Sequence, residues 1–166
     1  MAKKTFNLKE IIEMAVQIEV AGAAFYKSLK EKAQSEGASE LFGYLEEAEH
    51  QHITDFEKVL ESALEKHHNL EYPASEQELL YLRAFASRRI FEGPEDAAAK
   101  AAATSSTMEG IDLALEFEFR SVAFFQEMAR LIEDPEDKAS VEELERQERE
   151  HVANLMEYRE KLTESG

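Results

Sequence analysis

The chain has no cysteine, three prolines and six glycines in 166 residues. Without cysteine there is no disulfide, no thiol nucleophile, no iron–sulfur cluster and no Cys-ligated zinc. Positive charge is also scarce. Nineteen Lys and Arg face 36 Asp and Glu, for a net charge of −17. Such a surface repels phosphate backbones and argues against nucleic acid as a partner. It keeps a protein soluble, and the same field draws in cations. Long apolar runs are missing too. No stretch approaches the ~20 residues that span a bilayer, and Met1 to Phe6 lack the apolar run of a signal peptide. The expectation is a cytoplasmic protein with no membrane partner. Apolar residues make up 43% and charged residues 33%, which suits one domain with its own core.

What is present is helix. Apolar residues recur at steps of three and four, as in Ile12, Ala15 and Val16, then Phe25, Tyr26 and Leu29. No strand is expected. Asn7 with Glu10 opens a first helix that runs to about Gln34. A short turn at 35–39 leads to a second helix, ending near Lys66. A break carrying Pro73 follows. Ser75 with Glu78 opens a helix to about Phe91, and Pro94 starts a short Ala-rich one. Ser106 with Glu109 opens the third long helix. Asp134 as N-cap and Pro135 at the first helical position start the fourth, to about Leu162. A single domain is expected, with a helix pair over 7–66, a crossover over 67–105 and a second pair over 106–163.

A shift of 99 residues lays the first helix pair on the second without a gap. Glu19, Glu49 and His52 fall on Glu118, Glu148 and His151. The match of His52 with His151 is informative because the chain has five histidines. Both copies of Glu-x-x-His put a carboxylate and an imidazole on one helix face. The heights also agree. Glu19 lies 16 residues before Ser35, with Glu49 and His52 14 and 17 after it. Glu118, Glu148 and His151 keep the same separations from Asp134. At ~1.5 Å per residue all six groups share one level, roughly 21–26 Å from their turns.

Four carboxylates at mid-height in an apolar bundle cost several kcal/mol each and repel one another. Two divalent ions supply four positive charges to match them. Mixed Glu and His donors suit iron or manganese better than calcium or magnesium. Zinc is a possible substitute, without redox chemistry.

A Glu from each of two helices with a Glu-x-x-His from each of the other two resembles the ferritin-like di-iron carboxylate arrangement. The resemblance extends over nearly the whole chain. It is strongest to the rubrerythrin group, in the segments from Glu19 to Phe25-Tyr26 and from Glu118 to Phe124-Phe125 and in the internal repeat. It implies an all-α, up-down-down-up four-helix bundle with a long helical crossover between the second and third long helices. It implies two iron ions bridged by Glu49 and Glu148, with Glu19 and Glu118 as terminal ligands and His52 and His151 on one iron each. The implied activity is an oxidoreductase of oxidative-stress defence, acting on hydrogen peroxide or oxygen. Two departures bear on it. Typical rubrerythrins carry a rubredoxin-like domain with four cysteines and this sequence has no cysteine, so a separate electron-donor protein is expected. Ser121 stands where that group carries an additional Glu.

Other functions follow from the same residues. One is ferroxidase or iron handling, favoured by the charge. Another is a non-catalytic bundle with a structural metal. Tyr26, seven residues after Glu19, is a core residue or a partner of a ligand. His50 is expected at the surface, and His67 and His68 at a helix C-terminus. Glu46 and Glu145 are expected to face solvent. Arg83, Arg88 and Arg89 form a small basic patch, expected to pair with nearby glutamates. Apolar residues on several faces around Phe117, Phe119, Phe124 and Phe125 suggest core packing and a homodimer contact. The crossover must run the length of the bundle, ~43 Å.

Overall fold

The structure, a computed structural model, describes residues 5–67 and 70–166. Its elements in order are β1 (Thr5–Asn7), α1 (Leu8–Lys32), α2 (Glu36–Lys66), β2 (Glu71–Pro73), α3 (Glu76–Ser87), α4 (Pro94–Ala103), α5 (Thr107–Leu131) and α6 (Pro135–Ser165). The expected caps are in place. Asn7, Ser35, Ser75, Ser106 and Asp134 each accept a backbone N–H of the first turn. At Ser75 and Glu78 the reciprocal box is complete. At α5 the Glu109 carboxylate bonds Ser105 instead of the cap residue.

Helices α1 and α2 form one antiparallel hairpin, α5 and α6 the other, and α2 packs beside α6. Helices α3 and α4 carry the chain from the α2 C-terminus to the α5 N-terminus. The Phe85 ring meets Phe124 of α5, and Ser28 of α1 donates to the Ala98 carbonyl of α4. Lys32 holds the α4 C-terminal end through the Ala102 and Thr104 carbonyls. The architecture is the up-down-down-up bundle with a long helical crossover.

Two expectations change. Strands do exist: β1 and β2 pair antiparallel, with Phe6 opposite Tyr72 and Thr5 opposite Pro73. At three residues each they carry too little alternation to be read from sequence, and Pro73 sits at a strand end. Their stacked Phe6 and Tyr72 rings close the lower end of the bundle. The crossover helix also stops at Ser87, not near Phe91, so residues 88–93 form an irregular bridge.

The core is split in two. Ile12, Ala15, Phe56, Val59, Phe125, Met128 and Val141 pack one layer. Phe25, Leu29, Phe42, Leu45, Ile111, Ala114 and Leu155 pack another. The level between them belongs to buried polar groups. Among the described residues no helix is long and apolar enough to cross a membrane.

Candidate metal centre

Glu19, Glu49, Glu118 and Glu148 are each 0% exposed, and His52 and His151 are 1% and 2%. All six sequence-selected residues converge at mid-height from four different helices. The i, i+3 spacing on α2 and α6 directs each Glu-His pair inward, and the hairpins set the two pairs face to face. The His52 and His151 rings stack with centroids 5.2 Å apart. The donors form two groups, Glu19–Glu49–His52–Glu148 and Glu49–Glu118–Glu148–His151, with the ligand atoms of each within 4.8 Å of one another. Glu49 and Glu148 belong to both.

The imidazoles turn Nδ1 toward the carboxylates. His52 Nδ1 lies 3.0 Å from Glu19 Oε2, 3.5 Å from Glu49 Oε2 and 2.7 Å from Glu148 Oε1. His151 Nδ1 lies 3.5 Å from both Glu118 Oε1 and Glu148 Oε2. These contacts leave much unsatisfied. Glu19 Oε1, both oxygens of Glu49, Glu118 Oε2, both oxygens of Glu148 and His151 Nδ1 are buried without a hydrogen-bond partner. An unpaired buried carboxylate oxygen costs ~1–3 kcal/mol or more. Seven such atoms aimed at one small volume fit cation ligands.

The electrostatics agree. With protein groups alone, burial and the neighbouring Glu148 push Glu19 up to about 7 and Glu118 up to about 8. Burial, Glu19 and Glu118 raise Glu49 well above the usual range. Burial and Glu49 also act to raise Glu148, but contacts with Glu118, His151 and His52 outweigh them and lower it. Burial opposes charge on His52 and His151, yet the surrounding carboxylates raise both. Protons thus stand in for the missing positive charge.

Three residues around this cluster were not selected as ligands. Tyr26, fully buried, donates its hydroxyl to Glu118 Oε1. Burial, then Glu118 and Glu49, raise its pKa well above the usual phenol value, so it stays a donor. Gln147 accepts from His52 Nε2 at 2.9 Å and is itself oriented by donating to Glu143 at 3.0 Å. That contact places the proton on Nε2 and leaves Nδ1 free to ligate. Gly22 has no room for a side chain: a Cβ there would lie 2.9 Å from the Phe117 ring and 3.1 Å from Glu49 Oε1. Tyr26 was legible from its seven-residue step. Gln147 and Gly22 act across helices and leave no local signal.

The remaining candidates sort differently. His50 is exposed and near Glu46. Glu46 and Glu145 are half-buried, not solvent-facing, because Lys30 and Arg149 lie over them. Ser121 is buried and donates back to the Phe117 carbonyl. Phe117, Phe124 and Phe125 are core, whereas Phe119 is 59% exposed. His68 lies outside the described residues. Arg88 and Arg89 line a cavity of about 40 Å³ beneath the irregular bridge. Ala21, Phe117 and Ser121 also line it, and the Phe117 ring lies between it and Gly22.

No family model matches the chain, and no curated protein matches it. Two solved structures do. A Thermotoga maritima protein described as a candidate ferritin-like diiron-carboxylate protein is 20% identical, with a TM-score of 0.71 over 96% of this chain and 98% of that one. A hypothetical protein from Pyrococcus furiosus is 22% identical, with a TM-score of 0.66 over 96% of this chain and 92% of that one. These likenesses show the ferritin-like fold.

Proposed function

We propose that this chain is a di-iron oxidoreductase that reduces hydrogen peroxide or activates oxygen, drawing electrons from a separate donor protein. The observation that carries the proposal is the pair of overlapping donor groups sharing Glu49 and Glu148, with their oxygens unpartnered. Glu19 and His52 would complete one ion's set, and Glu118 and His151 the other's. Two ferrous ions would supply the two electrons needed at an O–O bond.

The chain's own residues do the rest. Gln147 fixes the His52 ring, and Tyr26 holds the Glu118 carboxylate while keeping its proton. The two apolar layers exclude bulk water and so strengthen every charge contact between them. The cavity under Arg88 and Arg89 is sized for a molecule of two heavy atoms, such as hydrogen peroxide or oxygen, and Arg120 and Ser121 add polar groups to its lining.

Iron oxidation and transfer is the second reading. It is supported by the net charge and by a groove between α2 and α6 lined by Asp55, Glu136, Asp137 and Glu143. Stopped-flow mixing of the diferrous protein with peroxide and, separately, with oxygen separates the two. Faster oxidation by peroxide is expected. Rapid multi-turnover oxidation of added ferrous iron by oxygen would favour iron handling instead. Manganese or zinc bound tightly to the protein as isolated would count against redox use of iron. The exposed Phe119 on α5 supports a homodimer, which sedimentation can check.

A further inference from the structure

The geometry points to a separate mononuclear transition-metal site at the lower end of the bundle, made by His67, Asp134 and Asp137. The C-cap of α2 and the N-terminus of α6 meet there. Eleven residues, or ~16 Å of helix, separate Asp137 from Glu148, so this site shares no donor with the centre. One ligand atom from each of the three residues lies within 4.8 Å of the others. His67 Nε2 is 3.7 Å from Asp134 Oδ2.

Three observations together indicate a ligand. Asp137 is 2% exposed, and its Oδ2 is buried without a hydrogen-bond partner. His67 Nε2 is likewise buried and without a hydrogen-bond partner. The carboxylates also divide their work. Asp134 Oδ1 accepts the Glu136 and Asp137 backbone N–H groups. Asp137 Oδ1 accepts from Ser62 at 3.0 Å. Lys66 Nζ lies 3.4 Å from both Oδ1 atoms and makes its shortest contact, 2.7 Å, with Glu136. Asp137 Oδ2 is therefore left for another cation, with Asp134 Oδ2 turned toward His67. Asp134, Asp137 and Glu136 against Lys66 leave a charge of two negatives, which one divalent ion cancels.

An imidazole nitrogen with two carboxylate oxygens suits zinc, cobalt, manganese or iron, and is poor for calcium or magnesium. Three protein donors leave a position for water. His67 is the C-cap of α2, with non-helical backbone angles (φ −131, ψ 127), and is partly exposed.

Zinc titration of the full chain tests this, with circular dichroism to confirm that each variant is folded. His67→Ala alters a partly exposed cap position and is expected to bind one equivalent fewer than the parent. Its gain in Tm on adding zinc should also be smaller. Lys66→Gln removes the competing ammonium and should bind the same equivalent at least threefold more tightly. The difference of one equivalent is expected whether the centre binds two ions or none, so failure of the di-iron proposal is read separately, from the total. Equal stoichiometry and affinity in the parent and folded His67→Ala would overturn the inference.

Discussion

The two helix hairpins are matched in their candidate metal donors and mismatched in what surrounds them. Each gives a Glu from one helix and a Glu-x-x-His from the next. Beyond that layer the repeat breaks. Tyr26 of α1 reaches Glu118 of the other hairpin, but its counterpart Phe125 offers Glu19 no hydroxyl. Gln147 of α6 holds His52, but its counterpart is Ala48. The His151 ring instead lies nearly perpendicular to the Tyr44 ring, with centroids 6.2 Å apart. Gly22 corresponds to Ser121. Near-symmetric ligands with asymmetric support give two positions of similar charge and different stiffness. One imidazole is oriented by an amide, and the opposite terminal carboxylate is oriented by a phenol.

The largest expected effect would break the symmetry of the ligands themselves. Glu49→Ala or Glu148→Ala removes a donor common to both groups and should abolish tight binding of both ions. Glu19→Ala or Glu118→Ala should leave one ion measurable by metal analysis. Equal loss in all four variants would remove the distinction between shared and terminal carboxylates.

Next come the unequal supports. Tyr26→Phe makes the first hairpin like the second and should weaken the ion held by Glu118 and His151 by about tenfold, the low end for such outer contacts. Gln147→Ala should do the same to the ion held by His52 and Glu19. Competition with a coloured chelator reads both constants, and a swap of the two effects would contradict the contacts described.

The pH dependence sharpens the comparison between protons and metal. Glu19 and Glu118 are raised from 4.5 to about 7 and about 8 in the folded chain. The folded form then holds protons that the unfolded chain has released. That stability is complete below pH 4.5 and is lost as pH rises to about 8. The raised histidines act in the same direction from pH 6.5 upward. The lowered Glu148 acts oppositely, losing stability as pH falls through the acid range. The Tm of chelator-treated protein should fall by several degrees between pH 5.5 and 8.5. Metal-loaded protein should not fall, because protons compete with the ions. Parallel curves would contradict cation control of this layer.

The smallest effect concerns Gly22. Overpacking against Phe117 costs ~1–3 kcal/mol, and the better helix propensity of Ala returns ~1 kcal/mol. Gly22→Ala should lower Tm by roughly 2–4 °C, whereas Ser121→Ala should change it less.

How much of this could be read from the chain follows from the range of each signal. The convergence of the six candidate residues was legible because i, i+3 spacing and a gapless repeat are properties of single helices and of chain length. Tyr26 was legible for the same reason. Gln147 was not, because its role depends on α2 facing α6 across the bundle. Gly22 was hidden because its constraint is the Phe117 ring of another helix. The β1–β2 pair joins residues more than 60 apart with too few residues to show a pattern. The irregular bridge at 88–93 was hidden by the helical composition before it, although it lines the cavity over Phe117 and Ser121.

Anomalous diffraction at the iron edge from anaerobically iron-loaded crystals tests the central claim most directly. The expected result is two peaks ~3.5–4 Å apart, both between Glu49 and Glu148, one on the His52 side and one on the His151 side. A single peak, or no density between these carboxylates, would contradict it.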